Sequence, residues 1–308
     1  MRRLSLLLGA VVLAGCAGSA PRGGDGPDLT WTPVDSLDAR LPASVRVFAG
    51  ESLADTLRAW AVRLDPSVHL DVDVATDTTD GRETTSAFAA RTGACVALNG
   101  GYFDMETGVP RGLVVDGGQL RAPAFDRVER DSVSYPVARG AVGIGPGGPE
   151  VAWARDDGAS ACRVEAPPSN REGAPASVSA CAPWDVAEAV GAGPVLLRDG
   201  EAVVATEAEV FWGSHARRHP RSALGIAADG RVWLVVVDGR QPRSRGVTLE
   251  ELAAMLDRLG AVDALNLDGG GSSALVVRPR GGPPVRLNLP TGYDVEREVS
   301  TALLAFCD

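Results

Sequence analysis

Lysine is absent: every one of the thirty basic residues is arginine. A Schiff-base mechanism, a Walker Gly-Lys-Ser/Thr loop and a kinase-type ATP site each need a lysine ammonium, so all three are excluded. Positive charge is also in short supply. Forty acidic residues outnumber the basic ones and set the formal net charge at -10, with a pI near 4.9. That balance excludes a broad nucleic-acid footprint, while leaving room for a local arginine cluster around one phosphate. No Cys-x-x-Cys pair occurs, no apolar run of about 18 residues follows the N-terminus, and strands and helices do not alternate regularly.

What is present is a chain of 308 residues with 45% apolar content, 37 Gly and 21 Pro. This is enough to bury a sizeable core, and it argues against disorder, collagen and coiled coil. Met1-Arg2-Arg3, an apolar run from Leu4 to Ala14, then Gly15 and Cys16 form the layout of a secretory signal. Leu13-Ala-Gly-Cys16 resembles a bacterial lipobox, in which Cys16 is lipidated and becomes the new first residue. Residues 1–15 are therefore expected to be a lipoprotein signal peptide, and 16–30, which hold nothing that packs, a flexible tether. Residues 31–308 are expected to form one domain, anchored to the membrane through Cys16 on the outer side of a bacterial envelope. Four cysteines remain, Cys95, Cys162, Cys181 and Cys307, an even number suited to disulfides in an oxidising compartment. Cys162 with Cys181 would close a Pro/Ser/Gly-rich loop, and Cys95 with Cys307 would tie an early strand to the last one; spacing alone leaves the connectivity open.

Period-two alternation dominates the domain. His69–Val74, 232–238, 264–268 and Thr301–Phe306 read as strands, and Asp-Gly turns at 116–117, 199–200 and 229–230 join apolar runs into hairpins. Arg139-Gly-Ala-Val-Gly-Ile144 and Arg221-Ser-Ala-Leu-Gly-Ile226 echo each other, each followed by a glycine turn and a strand with a Trp, as if one hairpin unit were used twice. Gly143-Ile-Gly-Pro-Gly-Gly148 mimics a dinucleotide fingerprint, but Pro146 sits inside it and no helix follows, so it reads as a hairpin turn. The clearest helix spans residues 248–259, with Thr248 and Glu251 as a capping box and Gly260 as the stop; a weaker one lies near 85–91. The expected fold class is α+β: a single domain on a mixed, hairpin-rich β-sheet with a few flanking helices.

The candidate chemistry lies at strand ends. In Ala264-Leu-Asn-Leu-Asp-Gly-Gly-Gly-Ser-Ser273, period two puts Asn266 and Asp268 on one face and Leu265 and Leu267 on the other. Gly269, Gly270 and Gly271, with Ser272, expose backbone amides to an anion without Cβ interference. Cys95-Val-Ala-Leu-Asn99-Gly100-Gly101-Tyr102-Phe103 repeats the design, with Tyr102 and Phe103 placed to wall a sugar ring. A third strand ends in Asp238-Gly-Arg240, and its alternation sets Asp238 on the face of Val232, Leu234 and Val236. Arg221 precedes an apolar strand and is placed to hold a phosphate bidentately. His215 and His219 are four apart, but Pro220 breaks any helix after them and no acidic third ligand has diagnostic spacing, so no metal site and no cofactor are assigned.

Asn99-Gly-Gly-Tyr-Phe, Arg221-Ser-Ala-Leu-Gly-Ile, Asp238-Gly-Arg, the Thr248-Leu-Glu-Glu-Leu helix and Leu267-Asp-Gly-Gly-Gly-Ser-Ser273 occur in an order that resembles the phosphodiester glycosidase family. That family includes the mammalian uncovering enzyme and many bacterial envelope proteins. Asn288-Leu-Pro290 and Glu296-Arg-Glu-Val-Ser300 are similar to its closing segment, and the resemblance runs from about residue 55 to the end. It implies hydrolysis of the bond between a sugar anomeric carbon and a phosphodiester oxygen, on a phosphorylated glycan and without a cofactor. In that reading Asp268 is the base or nucleophile, with Asp238 the other candidate. Arg221, Arg240 and the Gly269–Gly271 amides steady the phosphate, and Asn99 and Asn266 bind sugar groups. Two rival readings use the same residues: an envelope module that binds phosphorylated glycans without turnover, and a metal-dependent phosphodiesterase working through His215 and His219.

Overall fold

The computed structural model describes residues 26–76, 79–292 and 295–307. The signal segment and Cys16 lie outside them. The chain already touches the domain within the segment read as a tether: the Pro27 carbonyl accepts a hydrogen bond from Arg258, and the strand Thr30–Pro33 pairs with Val45–Ser52.

The α+β, hairpin-rich architecture holds, with strand far in excess of helix. In place of one mixed sheet there are several sheets, and every named strand pair among the described residues is antiparallel. The cause is local. Asp-Gly and Gly-Gly turns fold each strand back on its predecessor, and antiparallel neighbours need no helical crossover. At Asp199-Gly200 both turn residues have positive φ, 52° and 79°, the geometry that matches the twist of the flanking strands.

An eight-stranded sheet holds the centre. Its four middle strands, in spatial order, are Leu57–Leu64, Val232–Val237, Arg221–Ala227 and Ala261–Asn266. A seven-stranded sheet contains the hairpin of Arg139–Gly145 with Gly148–Asp156, and a five-stranded sheet contains Val96–Asn99, Leu275–Val277 and Thr301–Phe306. Inner faces of all three meet in one core, where Leu224, Leu234 and Leu265 pack with Val142, Val151, Leu98 and Leu303. The opposite face of the central sheet is covered by the helix Leu249–Arg258, whose Leu249, Leu252, Ala253 and Leu256 pack on Ala223, Val235 and Ala264. Thr248 and Glu251 form the anticipated capping box. Burying each of those leucines stabilises the fold by roughly 1.5–3 kcal/mol. With both faces covered, the strands Arg221–Ala227 and Val232–Val237 are buried along their whole length.

Two disulfides close the framework. Cys95–Cys307 joins the strand Val96–Asn99 to the end of the last strand, and Cys162–Cys181 closes the 162–181 loop. These are the two pairings that the sequence left open. Among the described residues no helix is long and apolar enough to cross a membrane.

Candidate active site

Strand register decides which polar residues meet. Ala223 pairs with Asn266 across the central sheet, so the same register continued by two residues sets Arg221 opposite Asp268. Backbone bonds keep the strands together at this end: Leu267 N donates to Ser222 O at 2.9 Å, and Gly270 N to Pro220 O at 2.9 Å. Arg221 and Asp268 thus share the helix-side face of the sheet, beyond the end of the helix, where a cavity of about 310 Å³ opens. Its walls are Tyr102, His215, His219, Arg221, Arg240, Asp268, Gly269, Gly270, Gly271 and Arg297. Three guanidinium groups face one carboxylate, in a chain whose net charge is -10. A larger cleft of about 640 Å³ beside Trp184 and Glu188 has no arginine in its walls.

Asp268 is held from behind. Its backbone N donates to Gly100 O at 3.1 Å, and Asn99 Nδ2 donates to its carbonyl at 2.8 Å. A Cβ on Gly100 would overlap the Thr301 side chain, so only glycine lets this segment lie against the last strand and reach Asp268. Gly101 packs equally tightly against the Gly191 carbonyl. Burial pushes the Asp268 carboxyl up to about 6, against the pull of the Ser272 hydroxyl, the Gly269 amide and the Arg297 charge. The carboxylate is therefore ionised at neutral pH yet basic enough to take a proton. Gly270 has φ +64°, which a glycine adopts without strain, and the turn it makes presents its backbone between Arg240 and Arg297.

Several residues expected to touch a ligand instead brace those that line the cavity. Asn99 is fully buried; its Oδ1 accepts from Ser222 Oγ at 2.6 Å and Ala274 N at 3.1 Å. Asn266, also buried, donates from Nδ2 to Gly193 O and to the Tyr102 hydroxyl, and Tyr102 in turn donates to Gly193 O at 2.8 Å. Tyr102 stands in the wall as anticipated, its phenol pushed up by burial and by the Asp268 charge and thus no proton carrier. Phe103 does not wall the cavity; it packs in a separate cluster with Phe88 and Val299. Ser272 is buried behind the turn, its hydroxyl accepting from Arg297 Nη1 at 3.4 Å.

Asp238 lies on the other face. The strand that places it alternates Val232, Leu234 and Val236 into the main core, and Asp238 follows them inward. Its Oδ1 accepts from Leu289 N at 3.1 Å and Asn288 Nδ2 at 3.3 Å, and its backbone carbonyl accepts from Ser244 Oγ. Burial raises this carboxyl to about 6 as well, but it holds the 288–289 loop and is not part of the cavity wall. Arg221 does two jobs. Nη2 donates to the carbonyls of His215, at 2.6 Å, and Arg217, at 3.0 Å, and Nε reaches Val247 O at 3.4 Å, while the side chain also lines the cavity. Arg240, exposed at the rim, donates from Nη2 to His219 Nδ1 at 2.8 Å.

His215, His219 and Arg297 join the wall without having been assigned to it from sequence. The two histidines precede the Pro220-Arg221 step that starts a central strand, and Arg297 belongs to the closing motif at 296–300; those were the available signals. Among the described residues no three His, Cys, Asp or Glu are grouped to hold a metal ion.

The fold is thus a hairpin-rich α+β domain, and its arginine-lined, glycine-floored cavity carries a single carboxylate among the described residues. Residues 92–306 match the model of the phosphodiester glycosidase family, and the chain belongs to that family. It is 30% identical over 202 residues to N-acetylglucosamine-1-phosphodiester alpha-N-acetylglucosaminidase of Bos taurus, an alignment covering 64% of this chain and 33% of the bovine protein. The chain thus spans about a third of that relative's length. Among solved structures, a hypothetical protein from Synechocystis superposes with a TM-score of 0.65 at 18% identity, covering 92% of this chain and 64% of that one. The zebrafish N-acetylglucosamine-1-phosphodiester alpha-N-acetylglucosaminidase catalytic domain, auto-inhibited by its pro-peptide, superposes with a TM-score of 0.58 at 21% identity, covering 91% and 83%. At such identities these two likenesses concern the fold alone.

Proposed function

We propose that this protein hydrolyses the bond between a sugar anomeric carbon and a phosphodiester oxygen, on a phosphorylated glycan outside the cytoplasm. One observation carries the reading: Asp268 sits across from Arg221 on one sheet face, in a cavity whose remaining charged walls among the described residues are Arg240 and Arg297. The arginines suit a phosphodiester and the charge that grows on it as it leaves, whereas the Gly269 and Gly270 amides, expected to help, are taken up by Asp268 Oδ1 and Pro220 O. Asp268 suits the sugar side, as base or nucleophile. A phosphate departs without full protonation, so the second carboxylic acid of ordinary glycosidases is dispensable, in keeping with a cavity whose wall holds a single carboxylate among the described residues.

The reading extends to location. Two disulfides fit an oxidising compartment, and a lipid on Cys16 would hold the domain at the envelope surface. The test is hydrolysis of sugar-1-phosphate alkyl esters in oxygen-18 water. Label on the sugar supports C–O cleavage; label on phosphate would replace this reading with a phosphodiesterase, and binding without turnover would replace it with a glycan-binding module. Asp268→Asn is expected to lower kcat by about a thousandfold or more, with an unchanged circular dichroism spectrum, whereas Asp238→Asn keeps kcat within about tenfold.

A further inference from the structure

Among the described residues, the cavity wall contains one polar ring with no hydrogen-bond partner. Tyr102 is tied to Gly193 and Asn266, Arg221 directs two of its nitrogens to backbone carbonyls, Arg240 is tied to His219, and Arg297 reaches Ser272. The His215 imidazole lines the same cavity, half-buried, and no hydrogen bond to its ring nitrogens occurs among the described residues. Its place is fixed from two sides. The Phe211 ring meets it edge-on at 5.3 Å between centroids, and its own carbonyl is gripped by Arg221 at 2.6 Å. A positioned imidazole with nothing bound to its nitrogens, in the wall that also carries Asp268, is suited to donate to a ligand.

We infer that His215 is a catalytic residue of this site, donating a neutral imidazole N–H to the oxygen of the departing phosphate. The inference rests on the reading proposed above. As the anomeric C–O bond breaks, its electron pair passes to the phosphate oxygen, and the departing group goes from one negative charge to two. The water oxygen ends on the sugar carbon, and its proton goes to Asp268. His215 keeps its proton throughout, and its hydrogen bond strengthens as charge grows, which lowers the barrier rather than the substrate's dissociation constant.

The surroundings favour the neutral ring. Burial first, then Arg221, Arg139, His219 and Arg130, push His215 down to about 4, so that it is uncharged at neutral pH. Arg240, Tyr102 and Asp268 share its cavity. An imidazole kept neutral by its setting is a known electrophilic donor in enzyme sites.

Two variants separate the donor from the shape. His215→Phe keeps a ring against Phe211 and removes the N–H; His215→Gln keeps an N–H that does not titrate. On a sugar-1-phosphate methyl ester, the Phe variant is expected to lose about a hundredfold to a thousandfold in kcat with KM within about threefold, and the Gln variant to stay within about tenfold of wild type. The loss in the Phe variant is expected to shrink on a 4-nitrophenyl phosphodiester, whose more acidic leaving phosphate needs less help. A Phe variant as fast as wild type, a Gln variant as slow as Phe, or equal losses on the two esters overturns the role of His215 while leaving the proposed function standing. A wild-type protein inert on both esters overturns the function, and this inference with it.

Discussion

Two hairpins begin with nearly the same six residues and end up doing different work. Arg139–Gly145 with Gly148–Asp156 and Arg221–Ala227 with Val232–Val237 are both antiparallel pairs with a Trp in the second strand, Trp153 and Trp233. Arg221 starts a strand at the centre of the eight-stranded sheet, opposite Asp268, and faces the cavity. Arg139 starts a strand of the seven-stranded sheet, where its guanidinium stacks over Phe211 at 4.1 Å and Phe125 at 4.9 Å and its Nε reaches the Glu209 carbonyl. One residue further on, the Ser222 hydroxyl donates to Asn99 and supports the site, while Gly140 N donates to the buried Glu209 carboxylate. That carboxylate also accepts from Trp153 Nε1 and Val195 N, which joins the hairpin to the neighbouring sheet. A strand-leading arginine takes its role from the strand beside it.

The sharpest way to break this contrast is to remove each guanidinium in turn. Arg221→Met releases the carbonyls of His215 and Arg217 and leaves the phosphate side of the cavity short of a donor, so kcat is expected to fall by about a hundredfold to a thousandfold. Arg139→Met is expected to leave kcat within about threefold and to lower stability by about 1–2 kcal/mol through the lost cation–π stacking, a drop of several degrees in Tm. Equal effects of the two variants on kcat would mean that both hairpins serve catalysis directly.

A smaller effect separates the carboxylates of the two halves. Asp268 must be ionised to act as base or nucleophile, so kcat/KM is expected to rise with pH through about 6 and then level. Stability runs the other way. Burial raises Glu209 and Glu188 to about 7 and Asp238 and Asp268 to about 6, so the folded chain holds protons that the unfolded chain has already released. Their stabilising contribution is complete below the unfolded carboxylate range, near 4, and is lost as pH climbs through the folded values. Carboxyls held low, Glu83, Asp104, Asp157 and Asp229, change charge at lower pH and leave this window alone. Tm measured by calorimetry is expected to be higher at pH 5 than at pH 8, by on the order of 5 °C, while turnover falls over the same descent in pH. His215, pushed down to about 4, opposes them by gaining stability as pH rises toward its unfolded value near 6.5, so it is a Tm that rises with pH in the His215→Gln variant that would show these buried carboxyls to be ionised in the fold.

Much of this was readable beforehand. His69–Val74 and Thr301–Phe306 alternate over their own length, Thr248 and Glu251 cap a helix three residues apart, and Asp199-Gly200 makes a turn that only its own dihedrals decide. Tyr102, Arg221, Arg240, Asp268 and the three glycines, which the resemblance groups, line one cavity. Asn99 and Asn266 were read as ligand groups because a polar residue at a strand end carries no mark of burial; the chains that cover them come from residues 222, 274 and 193. His215 and His219 suggest only a metal in sequence, since nothing near them announces a cavity.

Alternation, turn chemistry and capping act over two to eight neighbouring residues, so the amino-acid sequence alone determined the hairpins, the capped helix and the glycine turn after Asp268. Which aspartate meets the arginines depended on the register between strands some forty residues apart: it turned Asp238 toward the core with Val236, and Asp268 toward Arg221. Only tertiary structure settles such a choice, because a strand's two faces are equivalent until a neighbour pairs with it and a core covers one of them.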